Sequence, residues 1–357
     1  MSKRGFAWIV GLVCVFGQFA ARAAASTPPL IPGDLLVLNS QNSDGGGGQI
    51  IEIDPTTGHE AVWESGGYLE QPTRMVFDGL GNLIVSDYDN GIIRINTSTG
   101  QQTQVAAGNY LVGTSAVAID NAGNYIAFGT PNGYQFPQSV NAVRVDPVTG
   151  TQTLLASAVS DGPGGYTSLS GPVDAVVGPD GSVFVSNADL GGFNDGLNGI
   201  LKLDPTSGDI SVVSTGNIFF GEMPGGIMLD PENPQNLWAV CTGSTSLLLD
   251  VNIVTGAQRV ISSGGLLQQS GPIAEEGDGD PLVANSMYLS SDSFLYLPST
   301  IVSIDPATGS QTLVFAESTG GDLTYPKAIL VIPEPASAAI LFGCALLAIR
   351  RRSPRNS

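Results

Sequence analysis

Short runs of consecutive apolar residues punctuate the chain, among them Leu35-Leu36-Val37-Leu38, Leu83-Ile84-Val85, Val183-Phe184-Val185 and Leu237-Trp238-Ala239-Val240. Each is interrupted within about ten residues by Gly, Pro or Asn, which excludes helices of ordinary length. Runs this short, rich in β-branched residues and apolar without alternation, predict strands covered on both faces. Six times an apolar run leads into Asp or Asn, two or three small residues and Gly, and then a more polar strand. The copies are Asp54-Pro55-Thr56-Thr57-Gly58, Asn96-Thr97-Ser98-Thr99-Gly100, Asp146-Pro147-Val148-Thr149-Gly150, Asp204-Pro205-Thr206-Ser207-Gly208, Asn252-Ile253-Val254-Thr255-Gly256 and Asp305-Pro306-Ala307-Thr308-Gly309. In each, the Asp or Asn oxygen accepts from nearby backbone N–H groups, Pro where present presets φ, and Gly supplies the positive φ that returns the chain.

The leading Asp or Asn residues are separated by 42, 50, 58, 48 and 53 residues, near the repeat length of propeller blades and longer than most helical solenoid repeats. The clearest unit begins at Pro72. It reads Arg74 to Phe77, a turn at Asp78-Gly79-Leu80-Gly81-Asn82, Leu83 to Asp87, Gly91 to Ile95, the Asn96 turn, and Gln101 to Ala106. A similar order follows Pro172. Four-stranded antiparallel units repeated about an axis predict an all-β chain, a six-bladed β-propeller of four-stranded blades. The first repeat, starting at Gly33, lacks its first strand, and the last strand, Pro326 to Val331, resembles Pro72 to Phe77. The first blade is therefore expected to be completed by the C-terminal strand.

The two ends of the chain carry a different chemistry. Lys3 and Arg4 precede an apolar stretch from Phe6 to Ala21 that finishes in small residues, the pattern of a secretory signal peptide. Two small-residue sites fit cleavage, one ending at Ala23 and one at Ala25; the second starts the mature chain at Ser26. At the other end stand Ile332-Pro333-Glu334-Pro335, an apolar run, and Arg350-Arg351-Arg352. This tripartite tail resembles the PEP-CTERM sorting signal. The resemblance implies processing by an exosortase at or near Pro333-Glu334-Pro335, loss of the hydrophobic tail, and delivery to the cell envelope and then the extracellular matrix. Residues 336–349 would span about 21 Å as a helix, short of the ~30 Å hydrocarbon core. Transient membrane association suits such a tail better than permanent anchoring, with the arginines held at the cytoplasmic side. The expected division is 1–25 signal peptide, 26–331 propeller and 332–357 sorting signal.

Charge narrows the partners. All 32 acidic residues but only six of the 13 basic ones (Arg74, Arg94, Arg144, Lys202, Arg259, Lys327) fall between Ser26 and Pro335, a net charge of −26 there. Such a body repels nucleic acid and anionic headgroups, and the charge favours solubility outside the cell. Of three cysteines only Cys241 lies in the body, so no internal disulfide forms and a cysteine-based zinc site is excluded. Cys241 reads as a small buried hydrophobe. His59, the only histidine, has no second histidine to act with and reads as a surface residue.

Candidate ligands for Ca²⁺ or another divalent cation are Glu275, Glu276, Asp278 and Asp280, four carboxylates within six residues. The run lacks the twelve-residue EF-hand loop and its terminal bidentate Glu, and a solvated acidic loop is the preferred reading of it. Asn187, Asp189, Asn194 and Asp195 form a second group in a long loop, and Asp87 and Asp89 flank Tyr88 where a turn explains them. No Ser/His/Asp set or phosphate loop is present.

The Asp78 to Asn82 turn, the looser Asp120 to Asn124 turn and the strand order resemble the six-bladed family of NHL-repeat and gluconolactonase-like proteins. The lactonase-like enzymes hold a divalent cation at the axis, and their ligand set does not map onto this chain residue by residue. Two functions follow: an exported, non-catalytic propeller that binds exopolysaccharide or other matrix components, and a secreted divalent-cation-dependent lactonase or hydrolase. Three Asp, Asn or Glu side chains converging at the axis would favour the enzyme, and an axis lined by Val, Ser and Thr the binding protein.

Overall fold

The computed structural model describes residues 28–40, 46–130, 138–160, 169–188, 198–219, 221–243, 245–286, 288–289, 296–318 and 321–334. The signal-peptide residues Ala23 and Ala25, and Pro335 with Arg350, Arg351 and Arg352 of the tail, lie outside them.

Six four-stranded antiparallel sheets are arranged as the blades of a propeller. The second blade is the pattern: innermost strand Pro72–Phe77, then Asn82–Asp87, Gly91–Asn96 and, outermost, Gln102–Ala106. The innermost strands of the third to sixth blades are Thr114–Ile119, Pro172–Val177, Glu222–Leu229 and Ser270–Glu275. Pro326–Val331 pairs antiparallel with Leu35–Asn39, so the C-terminal strand completes the first blade as expected. The six innermost strands neighbour one another in a closed circle. A short hairpin, Tyr288–Leu289 with Tyr296–Leu297, is inserted in the sixth blade; nothing in the repeat pattern announced it.

Blade stacking explains the continuous apolar runs. In Leu35–Asn39, Leu35 and Val37 pack toward the sixth blade while Leu36 and Leu38 pack toward the second. Adjacent blades share such apolar clusters all round the ring. Both faces of a sheet are thus inside, and alternation disappears. Only the outermost strands meet water, exposing Val62, Leu154, Val212, Val260 and Leu313 at equivalent positions. A register shift against the third strand occurs in each blade, and bulges of this kind make an edge a poor template for another chain.

The six repeated turns lie together on one face. Their glycines all have positive φ, from 68° at Gly100 and Gly150 to 80° at Gly208, and the Asp or Asn side chains accept from the two N–H groups that follow, as Asp146 does from Val148 and Thr149 at 2.8 Å each. Two residues after the turn glycine, four blades place a glutamine that reaches the preceding blade. Gln311 donates from Nε2 to Ser262 Oγ and Gly264 O at 2.9 Å and accepts from Leu266 N at 2.6 Å. Gln102, Gln152 and Gln258 make equivalent bridges. The second and third blades also send arginines onward: Arg94 donates to Pro147 O and Arg144 to Pro205 O.

Removing residues 327–331 should abolish the single cooperative unfolding transition, because the first blade loses its innermost strand; urea unfolding followed by circular dichroism and by tryptophan fluorescence checks it, and a truncated chain that melts like the intact one refutes strand closure. Gln311→Ala should cost about 1–2 kcal/mol by the same measurement, since three hydrogen bonds lose their partner.

Candidate functional site

The face opposite the repeated turns carries the connections from second to third strand and from one blade to the next. A residue at the end of the second strand organises it. Asp87, fully buried, accepts at Oδ2 from Glu70 N (2.9 Å) and Gln71 N (2.8 Å) and at Oδ1 from Asp89 N (3.0 Å) and Asn90 N (2.9 Å). Burial raises its pKa, and those four N–H groups oppose the rise. Asn187 accepts from Ser170 N and Gly171 N, Asn285 from Gln268 N and Ser270 Oγ, and Asn39 from Thr324 N and Tyr325 N. The side chain of this residue therefore clamps the connector entering its own blade. Asp87 and Asn187, both weighed from sequence as ligands, serve this structural purpose; Asp189, Asn194 and Asp195 lie outside the described residues.

The axis is a channel of about 570 Å³ walled by all six innermost strands, mostly by Val, Ile, Ala and Met. One ion pair crosses it. Arg74 Nε stands 3.3 Å from Asp174 Oδ1, joining the second and fourth blades. Arg74 also donates to Thr73 O and Lys327 O, and Asp174 Oδ2 accepts from Ile227 N at 3.0 Å. Burial pushes the Asp174 carboxyl up while Arg74 pulls it down. Gly225 and Gly226 let the fifth blade come close: a Cβ at Gly226 would fall 2.8 Å from Gly271 O, and Gly225 O accepts from Ser186 Oγ at 2.6 Å. Neither axial lining weighed from sequence is found. A guanidinium and a carboxylate committed to each other occupy the channel, Glu275 is the other carboxylate on its wall, and a donor set with Arg74 paired to one of its two carboxylates does not fit a divalent cation. Among the described residues no three His, Cys, Asp or Glu side chains are grouped to hold a metal ion.

The four-carboxylate run is the turn joining the first two strands of the sixth blade: Glu276 N donates to Asp280 O at 2.7 Å and Gly279 N to Glu276 O at 2.9 Å. Glu275 and Asp278 are exposed and Glu276 and Asp280 half-buried. Burial raises the carboxyls of Glu276 and Asp280, with repulsion from Asp278 adding to both. This turn is on the face of the repeated turns. Cys241 is buried, and burial pushes its thiol up, out of nucleophilic range.

Beside the channel mouth on the long-connection face is a larger open cleft of about 910 Å³ between the first and second blades. Glu70, Gln71, Thr73, Tyr88, Asp89 and Lys327 are among its lining residues. The Asp87 clamp fixes its floor, and Gln71 Nε2 donates to Asp89 Oδ2 at 2.7 Å. Lys327 is exposed, and the surrounding protein together with the nearby Arg74 charge lowers its pKa. A half-buried phenol ring, two exposed carboxylates, an amide and an ammonium are groups that stack on and hydrogen-bond a polar ligand. Sequence reading reached only Tyr88 and Asp89 of this cleft and preferred a turn there, because the other lining residues come from distant segments around Gly46, Gln71 and Lys327.

At the opposite face the closing strand runs out. Ile332 is buried and exchanges backbone hydrogen bonds with Gly33 and Asp34, after which Pro333 and Glu334 are exposed. No helix among the described residues is long and apolar enough to cross a membrane.

No family model matches the chain and no curated protein matches it in sequence. Solved structures do match. A chain of a nidogen/laminin complex aligns over 84% of this chain and 98% of its own with a TM-score of 0.59 at 14% identity. A gluconolactonase from Xanthomonas campestris aligns over 82% and 89% with a TM-score of 0.51 at 13% identity, and an oligogalacturonate lyase in complex with manganese over 82% and 88% with a TM-score of 0.50 at 12% identity. The likeness is one of fold: a six-bladed propeller shared with gluconolactonase-like proteins.

Asp174→Ala should destabilise the protein by about 3–5 kcal/mol in urea unfolding, because it leaves Arg74 buried without its counter-charge. Replacing both partners by Met and Leu should cost far less; equal losses in the single and double variants would show that the pair contributes only volume.

Proposed function

We propose that this chain is an exported, non-catalytic propeller of the cell surface or extracellular matrix, binding a glycan through the cleft between its first and second blades. The observation that carries the reading is the opposition of two faces. The chain leaves the propeller at Pro333 and Glu334 on the face of the repeated turns, whereas the cleft opens on the other. A body tethered or delivered by its C-terminal tail therefore presents the cleft away from the membrane. The tail's likeness to the PEP-CTERM signal supports an exosortase as processing partner, the N-terminal pattern supports export, and the acidic body argues against nucleic acid.

Tyr88 offers an apolar ring for the face of a sugar, and Gln71, Asp89 and Glu70 are planar acceptor and donor groups suited to adjacent hydroxyls. An exopolysaccharide of the host supplies such groups in repeated array. The hydrolase reading requires three converging axial Asp, Asn or Glu side chains, whereas of the two carboxylates lining the channel Asp174 is paired with Arg74.

Intact mass spectrometry of membrane and extracellular fractions, with and without a working exosortase, tests the sorting half. A form beginning near Ser26 and ending near Pro335, released only when the exosortase works, is expected; a full-length C-terminus retained in both strains overturns it. For the binding half, Tyr88→Ala should weaken binding of purified host exopolysaccharide about tenfold, on the order of 1.4 kcal/mol, in a calorimetric titration that leaves the melting temperature unchanged.

A further inference from the structure

The seam between the sixth blade and the first, crossed by the connector that feeds the closing strand, is built differently from its neighbours. At the position where the second, third, fifth and sixth blades carry the bridging glutamine, the first blade has Glu60, two residues after Gly58. Across from it stands not an amide or a backbone carbonyl but a second acid, Glu317, at the end of the sixth blade's outermost strand. Glu317 is 8% exposed, and its Oε2 accepts from Leu323 N at 2.8 Å. The connector is folded onto this carboxyl so closely that a Cβ at Gly321 would lie 1.6 Å from Oε1. The same connector is held to the first blade by Asn39 and Gln49, which donate to Asp322 O at 2.8 and 3.1 Å, and it leads directly into the closing strand.

Glu317 holds the place of Gly66 and Gly264, the residues whose carbonyls accept from Gln102 and Gln311 at the position of Glu60, so the two carboxyls are set against each other for a hydrogen bond, and Glu60 Oε2 is buried with no donor to it. Two ionised carboxylates cannot make that bond; one must carry a proton. Nor is the turn packed here as it is elsewhere: a Cβ added at the turn glycines of the third to sixth blades would run into a carbonyl of the preceding blade, whereas one added at Gly58 would meet nothing within 4 Å. The charged groups acting on Glu60 are Glu317 and Asp322 from the connector. On its own hairpin, Asp54 accepts from Thr56 and Thr57, Glu64 accepts from Gln102, and His59 lies on the turn. No lysine or arginine contributes.

We propose that a proton on Glu60, directed at Glu317, is a latch across the closing seam, holding the connector and closing strand while it is present and loosening them when it leaves. Burial, then repulsion by Glu317, raises Glu60 from 4.5 to about 7. A carboxyl whose folded value lies above its unfolded value gives stability that is complete below the unfolded value and is lost as pH rises through the folded one. The window is therefore between about 4.5 and about 7. An exported protein meets such a range outside the cell.

Glu60→Gln is the decisive variant, because it recreates the second blade's arrangement, where Gln102 Nε2 donates to Glu64 at 3.2 Å. The full chain and E60Q are melted between about pH 4 and about pH 9, and the difference in melting temperature is read, so that other carboxylates cancel. E60Q should match the parent at the acid end and exceed it by roughly 2–4 °C above neutrality; E317Q should flatten the pH dependence of the difference in the same way. A difference independent of pH overturns the proposal. So does a parent whose stability at alkaline pH is raised by added Ca²⁺ and lowered by EDTA while E60Q responds to neither, which would make the pair a cation site.

Discussion

Everything in this molecule depends on the pairing of Leu35–Asn39 with Pro326–Val331. A blade's sheet is apolar on both faces and is dry only when it has a neighbour on each side. An open row of blades would expose Leu35, Val37, Ile51 and Ile53 on one end blade and Leu282, Ala284 and Ile301 on the other. At about 1.5–3 kcal/mol for each large aliphatic side chain, that exposure is as large as the whole net stability of an ordinary domain. Closure by backbone hydrogen bonds between the two ends of the chain prevents it. The C-terminal tail must then start where the closing strand ends, which assigns it to the face of the repeated turns.

The devices that hold neighbouring blades together leave one face free to vary. Glutamine bridges, the turn glycines packed on preceding carbonyls and the Arg94 and Arg144 struts fix spacing from blade to blade. On the other face a single buried Asp or Asn at the second strand's end clamps each of four connectors, and the following loop is unconstrained in length: three residues after Asp87, many more after Asn187 or Asn285. A binding cleft made of loop residues can change there without disturbing the ring, the division of labour expected of a scaffold with functional loops. The latch proposed at Glu60 and Glu317 belongs to the scaffold side of that division, at the seam whose connector feeds the closing strand.

Local signals made the fold legible and long-range pairing hid the site. The Asp or Asn turn with its glycine is a contiguous signal repeated six times, and the missing first strand at Gly33 was visible by alignment of the repeats against one another. The bridging glutamine is local too, always two residues after the turn glycine, and comparing the copies would have found it and the exception at Glu60. Arg74 and Asp174 are a hundred residues apart, with nothing in either's neighbourhood to name its partner. The acids that sequence did single out were conspicuous by density, as at Glu275 to Asp280, or by position, as at Asp87, and both are explained by turns and clamps. The inserted hairpin at Tyr288 and Tyr296 escaped because it does not repeat.

The charge balance ties these observations together. Five of the body's six cations have structural partners: Arg74 with Asp174, Arg94 with Tyr125 and Pro147 O, Arg144 with Asp120 and Pro205 O, Lys202 with Asp180, and Arg259 with Asp250. Each joins strands or blades, so the scarce positive charge serves the scaffold and the surface is left strongly acidic. The field of such a surface keeps polyanions away and attracts small cations. Lys327 is the exception: exposed at the cleft, it forms no ion pair among the described residues and is the one place where an acidic group of a ligand would meet an unneutralised cation. For the glycan proposed to bind at this cleft, long-range repulsion from the body and short-range attraction at Lys327 would act against each other, and a largely neutral polymer with sparse acidic substituents would satisfy both.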